Sequence, residues 1–544
     1  MCQNLSLKVY GDNEIETRIV DSIGYKKTHN DYLLLSSEIE SIQHKLFNLG
    51  YIENKASKIE KDNDSTFRVK MSLKKKYYTI YIYYKKNTID EALLNSISKQ
   101  VFPDYFILPI SHVESALGLL NEKISDKGYP FSKLSLSNIE IALNDILKAN
   151  LVLAPEKQQR HINDIKIKGY EKFPKSFLKH YLKIKPSQIF DLNTVKQKAE
   201  QLSALRFAKQ IKSPEVLFTK DSTTLYMYLK KTKSNTFDGF LGFGTNEQTN
   251  TLDFNGYLNL NLINNLNYGE TFSLQYKSTQ SSQKFFQANL NMPYLFNTPI
   301  GVDLQLYIFK QDSSFNTVNQ SIKLNYQISS KHKLFTGIKT IESNGLAKNT
   351  TQLISDYKSN YITLAYQYVN PQFDNLLFPI NSTLYLETGF GKRKNANTSE
   401  KQTQLNIEVS KIFNLNQTNS IYLRFKGNSL QSDNYLENEL SRFGGINSIR
   451  GFEENSIMST AYGFINTEYR LQLSSSIYIH SIIDIASFEN KILNSKEKLF
   501  AYGLGFGILT KAGLLKLDYA NGKTGDQKFK FSNSQVHISL TANF

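Results

Sequence analysis

No tryptophan occurs among the 544 residues, and the one cysteine, Cys2, stands at the N-terminal end. A lone cysteine excludes disulfides within the chain and every zinc or redox motif built on paired cysteines. Long apolar runs are missing too. The longest uncharged, largely apolar stretch, Leu499 to Leu509, reaches eleven residues only by counting glycine and tyrosine. A helix needs about 20 apolar residues to cross a bilayer, so a helical membrane protein is excluded. A membrane barrel is not: its strands alternate apolar and polar residues, which keeps mean hydropathy low, here −0.39. Enzyme signatures are also lacking: there is no Gly-x-Ser-x-Gly elbow, no phosphate-binding P-loop and no His-Glu-x-x-His pair, and the eight histidines are scattered. The sequence therefore offers no catalytic residue, no metal-ligand set and no cofactor motif.

What it does contain is basic charge, 65 Lys plus Arg against 49 Asp plus Glu, a formal net of +16. The length predicts several domains, each with enough chain for a core, so disorder is not a reading. The charge is uneven. Residues 1–235 carry 38 basic and 26 acidic side chains, and 236–544 carry 27 and 23. The segment 161–235 alone has 16 basic and 6 acidic residues. No nucleic-acid-binding module accompanies the charge. The bland reading is a solvated lysine face; the functional one places it near anionic headgroups or acidic partners. Cys2 has two readings as well, the remnant of a lipoprotein processing site or the residue after a start codon on a trimmed mature chain. No secretory apolar region precedes Leu5, so the signal is expected to have been removed or the protein to be cytoplasmic.

The first part repeats a strand, helix, helix, strand, strand theme at roughly 75-residue spacing. In 1–88, Leu5 to Tyr10 reads as a strand, and Ile39, Ile42, Leu46 and Leu49 share a helix face that stops at Gly50. Strands follow around Phe67 to Leu73 and Tyr77 to Tyr84. In 89–160, Ser111 and Glu114 have capping-box spacing. Val113, Leu117, Leu120 and Ile124 then line one face up to Gly128, before strands near Ser132 to Leu136 and Asp145 to Leu153. In 161–235, a strand from Ile162 to Ile167 precedes a helix carrying Val195, Ala199 and Leu202, then strands at Glu215 to Phe218 and Thr224 to Leu229. These three α+β units resemble polypeptide-transport-associated (POTRA) domains.

From 236 to 544 the pattern changes to two-residue alternation, as in Phe237, Gly239, Leu241 and Phe243 against Asp238, Phe240, Gly242 and Gly244. About sixteen such segments can be placed, the last over 534–544. Sharing 309 residues among them gives about 19 per strand and connection, which suits a compact 16-stranded antiparallel transmembrane β-barrel. Closure is needed because an open sheet leaves edges, and in lipid every backbone polar group needs a partner. With tryptophan absent, an interfacial girdle must come from the 33 Tyr and 35 Phe. Val536, Ile538, Leu540, Ala542 and Phe544 alternate with polar residues up to the last position. This ending resembles the recognition signal of bacterial outer-membrane barrels, carried by Ile538, Leu540 and Phe544.

Between two barrel segments lies Arg442-Phe443-Gly444-Gly445-Ile446-Asn447-Ser448-Ile449-Arg450-Gly451-Phe452. It resembles the sixth-loop motif of the outer-membrane protein assembly and two-partner secretion superfamily, the BamA, TamA and filamentous-haemagglutinin-transporter group. The core is Ile449-Arg450-Gly451-Phe452, with Gly444-Gly445 upstream. Asn466-Thr467-Glu468-Tyr469-Arg470 and Ile482-Ile483-Asp484-Ile485-Ala486 resemble the strands after this loop, although Ile482 and Ala486 depart from the aromatic and glycine neighbours usual around that aspartate. Pro293-Tyr294-Leu295-Phe296 and Asp374-Asn375-Leu376-Leu377-Phe378-Pro379 resemble two further barrel landmarks, the second lacking the glycine common after proline.

The resemblance implies an anchor in which Arg450 reaches the lumen wall and meets Glu468 and Asp484, while Gly444, Gly445 and Gly451 permit close backbone approach. It implies a weak closure between the first strand and the last, where Gly239, Gly242 and Gly244 lower cohesion or merely allow curvature. It further implies a non-enzymatic insertase or translocase in the bacterial outer membrane. Its POTRA units would lie in the periplasm and receive unfolded outer-membrane or secreted polypeptides, with the lipid bilayer and accessory lipoproteins as further partners. Two other classes stay open: a secretion pore passing a dedicated client through the lumen, and a passive porin-like or structural barrel.

Overall fold

A computed structural model describes residues 4–86, 88–142, 146–154, 158–246, 251–278, 283–346, 353–372, 375, 377–396, 398–510, 513–525 and 534–543. Its N-terminal part holds three small sheets built on one rule: the last strand is central and runs parallel to the first. Leu5–Gly11 pairs in parallel with Thr66–Ser72, Thr79–Tyr83 with Ile146–Ala154, and Asp164–Lys168 with Thr223–Lys231. A parallel pair cannot be joined by a tight turn, so helices provide each crossover. In the first sheet these are Glu14–Ser22, capped by the Asn13 side chain, and Tyr32–Asn48, capped by Asp31. The longer helix buries Leu35, Ile39, Ile42 and Leu46 against Leu7, Val9, Val69 and Met71. Each fully buried aliphatic side chain contributes about 1.5 to 3 kcal/mol of transfer free energy.

Two expectations are corrected here. The strand around Tyr77 to Tyr84, assigned with the boundary at 88 to the first unit, belongs to the second sheet. Thr79–Tyr83 pairs with Tyr105–Pro109 and with Ile146–Ala154, and Ile80 and Ile82 enter the core of Phe106, Leu108, Leu147 and Ala149. Lys74-Lys75-Lys76 is thus a connection between the first and second sheets. The capping box at Ser111 and Glu114 does not form. Ser111 lies inside a 3-10 turn, Ile110–His112, that runs straight into the helix Val113–Asp126, and Glu114 accepts a hydrogen bond from Asn48 Nδ2 at 2.9 Å.

The third small sheet packs with the barrel as one compact unit. A short π-helical turn, Phe177–Tyr181, touches two barrel turns. The Phe177 ring meets Tyr294 edge to face at 4.8 Å, and the His180 ring stacks on Tyr294 at 5.5 Å. His180 Nε2 lies 2.7 Å from the Asn297 carbonyl oxygen. Tyr170 receives a hydrogen bond from Asn264 at 2.7 Å and donates one to Asn267 at 3.1 Å.

The barrel is a closed ring of sixteen antiparallel strands, from Thr236–Asn246 to Ser534–Asn543. Alternation sorts its faces. Ile322, Ile338, Ile362 and Phe390 sit side by side on four neighbouring strands and are 52, 59, 66 and 56% exposed, forming an apolar outer belt. The residues next to them in sequence, among them Ser321, Lys323, Lys339 and Thr363, point into a polar lumen where Lys339 bonds Gln404 and Lys323 pairs with Glu387. No helix among the described residues is long and apolar enough to cross a membrane, so the strands supply the spanning surface.

Candidate functional site in the barrel lumen

The eleventh barrel strand, Asn419–Gln431, and the twelfth, Ala461–Gln472, are joined by a long connection that turns inward. Within it Ser441–Phe443 pairs with Ile457–Ser459 as a small hairpin, so the loop satisfies part of its own backbone. Phe443 stacks on Tyr462 at 4.5 Å and meets Phe488 edge on, and with Ile449, Phe464 and Ala486 it forms a dry cluster against the wall. Ala486, which departs from the family pattern, is 1% exposed inside that cluster, a place for a small apolar residue.

The hairpin tip is a compact turn. Gly444 N–H donates to Ser448 Oγ at 2.7 Å, Gly445 N–H to the Ile449 carbonyl at 3.1 Å, and Asn466 Nδ2 to the Ser448 carbonyl at 2.7 Å. This aims Arg450 at two neighbouring strands. Its Nε and Nη2 bind Asp484 at 2.9 and 2.6 Å as a fork, its Nη1 binds Glu468 at 2.5 Å, and its backbone N–H donates to Asp484 at 3.0 Å. Gly451 follows with φ +81, and a Cβ there would sit 2.6 Å from the Gly522 nitrogen, so only glycine fits against the fifteenth strand. Phe452 lies over Gly522 in the same contact.

The charges in this cluster compensate one another. Arg450, Glu468, Arg470 and Asp484 are 4, 9, 8 and 1% exposed, and Arg470 donates to Glu468 at 2.8 Å. Two guanidinium groups thus face two carboxylates, which lowers the cost of holding four charges away from bulk water. Arg470 in turn lies over the rings of Tyr422 and Phe378, at 4.0 and 4.4 Å. Phe378 from the second landmark therefore ends up beneath the same cluster. Asp374 and Leu376 of that landmark lie outside the described residues. Tyr294 of the first landmark carries the third POTRA-like unit instead.

Sequence reasoning missed a second set of contacts. Arg393, on the ninth strand and 2% exposed, pairs with Glu439 of the loop and, at 2.7 Å, with Glu400. Gln402 donates to Glu439 at 2.9 Å, and Asn438 donates to Ser343 at 2.9 Å. Arg442 lies over Phe309 and Phe315. Apart from Glu400, seven residues from Arg393, the partners are separated by tens to more than a hundred residues, so no local spacing signals them.

At the closure, Gly239, Gly242 and Gly244 pair with Leu258, Asn255 and Asp253. The ladder between first and last strands has two residue pairs among the described residues, Thr236 with Asn543 and Phe237 with Ala542. The last strand's other neighbour runs alongside it from Gly513 to Asn521, with Leu540 opposite Leu515 and Ile538 opposite Leu517. Phe544 lies outside the described residues, as do the side chains of Ile538 and Leu540.

The POTRA family model, described as surface antigen variable number repeat, matches residues 160–232, and the Omp85 superfamily domain matches 264–536. No curated protein matches the chain by sequence. Among solved structures, the chain is similar to BamA from Haemophilus ducreyi lacking POTRA domains 1–3, with TM-score 0.51 and 13% identity over 85% of this chain and 99% of that one. It is similar to CdiB from Escherichia coli, with TM-score 0.52 and 13% identity over 94% and 98% of the two chains. CdiB from Acinetobacter baumannii gives TM-score 0.51 and 14% identity over 86% and 91%. These likenesses speak for the fold, and the domain match spans half of the sequence. The chain, with its POTRA-like sheets, sixteen-stranded barrel and inward loop, belongs to the Omp85 superfamily of outer-membrane β-barrel proteins.

Proposed function

We propose that the protein is a bacterial outer-membrane insertase or translocase. In this reading the POTRA units lie in the periplasm and hand unfolded polypeptides to a lateral seam between the first and last barrel strands. The observation that carries it is the two-pair ladder at that junction, set against eight or more pairs at every other junction of the ring among the described residues. A junction with few hydrogen bonds is the one that opens first, and its freed edges can pair with a client strand. The edge strand Lys133–Ala142 offers a second place for strand addition, since it pairs only with Ile146–Ala154 and exposes Ile139 and Ile141 among the described residues. Arg450 with Glu468 and Asp484 serves as the anchor of the lumen loop, and the energy comes from the folding of the client.

The test is a disulfide across the seam, from Phe237→Cys and Ala542→Cys in a Cys2→Ser background, with the protein in vesicles and an unfolded barrel client added. Insertion is expected to fall to the protein-free level and to return on reduction. Insertion that proceeds with the seam locked overturns the lateral route. Steady conductance through the locked barrel would then support the secretion-pore reading, with the client passing through the lumen.

A further inference from the structure

The loop tip touches the wall on both sides of the seam. On the C-terminal side it holds Asp484 of the thirteenth strand through Arg450 and lies on Gly522 of the fifteenth. On the N-terminal side, Glu454 reaches Lys277 of the third strand at 3.3 Å. Lys277 and Glu454 are 34 and 23% exposed, so their pair is partly shielded from water. From the fifteenth strand to the third, the wall runs through the sixteenth, first and second, four intervals or about 19 Å along the arc at normal strand spacing. The stretch Gly451 to Glu454 and two extended side chains cross that arc as a chord. The strands in between carry the two-pair ladder, the shortest in the ring among the described residues.

We propose that Lys277 and Glu454 form a staple that holds the seam shut from inside the lumen, coupling the position of the loop to the opening of the barrel. This rests on the seam reading above and adds the group that controls it. With the staple made, the loop ties the third strand to the twelfth, thirteenth and fifteenth. With it broken, Arg450 still holds the loop to the C-terminal side and Arg442 and Asn438 still meet the fifth to seventh strands, while the first three strands lose their tie to the loop tip. Lys277 and Glu454 are positioning residues: they set how often the edges part and touch no client.

The experiment uses the same full chain with Cys2→Ser, Phe237→Cys and Ala542→Cys, and reads the rate at which the seam disulfide forms in vesicles. Lys277→Glu and the near-isosteric Glu454→Gln are each expected to slow it about two- to fivefold, the range of a partly shielded ion pair. The exchanged pair, Lys277→Glu with Glu454→Lys, is expected to return it to the parent rate. Unchanged rates in both single variants overturn the staple, as does an exchanged pair no faster than the singles. Client insertion through a locked seam would defeat the lateral-route reading by itself, while the thiol rates still decide whether the staple exists.

Discussion

At the residue scale, Arg450 carries the heaviest electrostatic duty. Removing it leaves Asp484 without its fork and Glu468 with Arg470 alone, both carboxylates away from bulk water. Arg450→Ala is expected to cost about 3 to 5 kcal/mol, the usual penalty for stripping one partner from a buried pair. Denaturant midpoints of the detergent-solubilised barrel measure it, and a midpoint equal to that of the parent would show the cluster to be slack. Tyr181 sets a pH limit. Burial pushes its phenol up to about 12, against about 10 in an unfolded chain. Its contribution is therefore complete below pH 10 and is lost as pH rises toward 12, because the unfolded chain ionises first. Tyrosinate absorbance should show a late-titrating group that Tyr181→Phe removes.

Elements differ in how plainly they speak. Sixteen alternating segments lead to sixteen strands because a strand with one face in lipid and the other in water must alternate, and the signal repeats with every strand. Arg450, Glu468 and Asp484 are legible because the motif carries them. Arg470 beside Glu468 follows from alternation, since the two lie two positions apart on one strand face, whereas Glu439 on Arg393 needs the closed ring to bring the loop beside the ninth strand. Thr79–Tyr83 misleads for a related reason. Its apolar alternation is plain, but which core it joins depends on the path of the chain after Leu73. The π-helical turn Phe177–Tyr181 is likewise invisible, since its apolar spacing fits no regular period. It makes a testable joint: Phe177→Ala removes the edge-to-face contact with Tyr294 and the packing beside Gly269. A loss of about 3 to 5 kcal/mol is expected. Faster proteolysis between the third sheet and the first barrel strand would report it, and unchanged resistance would mean that Tyr170 and His180 suffice.

Across the whole molecule, charge is divided by compartment. Many cations of the lumen are held in ion pairs, with Arg450 and Arg470 on Glu468 and Asp484, Lys323 on Glu387, and Arg393 on Glu400 and Glu439. The barrel region is accordingly close to neutral, 27 basic residues against 23 acidic, and the excess sits in 1–235 with 38 against 26. A polar interior balanced in this way keeps the average hydropathy of a membrane protein below that of many water-soluble ones.

The turn between the fourth and fifth barrel strands has a consequence for depth. Tyr294, Phe296 and Asn297 all take left-handed backbone angles, and Phe296 is 94% exposed while Tyr294 is held by Phe177 and His180. A bare aromatic ring on a stiff turn between two barrel strands is expected to reach the headgroup layer when the barrel sits in a bilayer. Because the chain lacks tryptophan, Phe296→Trp would be its only indole. Its emission should shift to the blue when the protein passes from lipid-free buffer into a bilayer, and an unshifted spectrum would place the ring in water. The missing residue type thus leaves a dark background on which one substituted side chain becomes a ruler for the membrane.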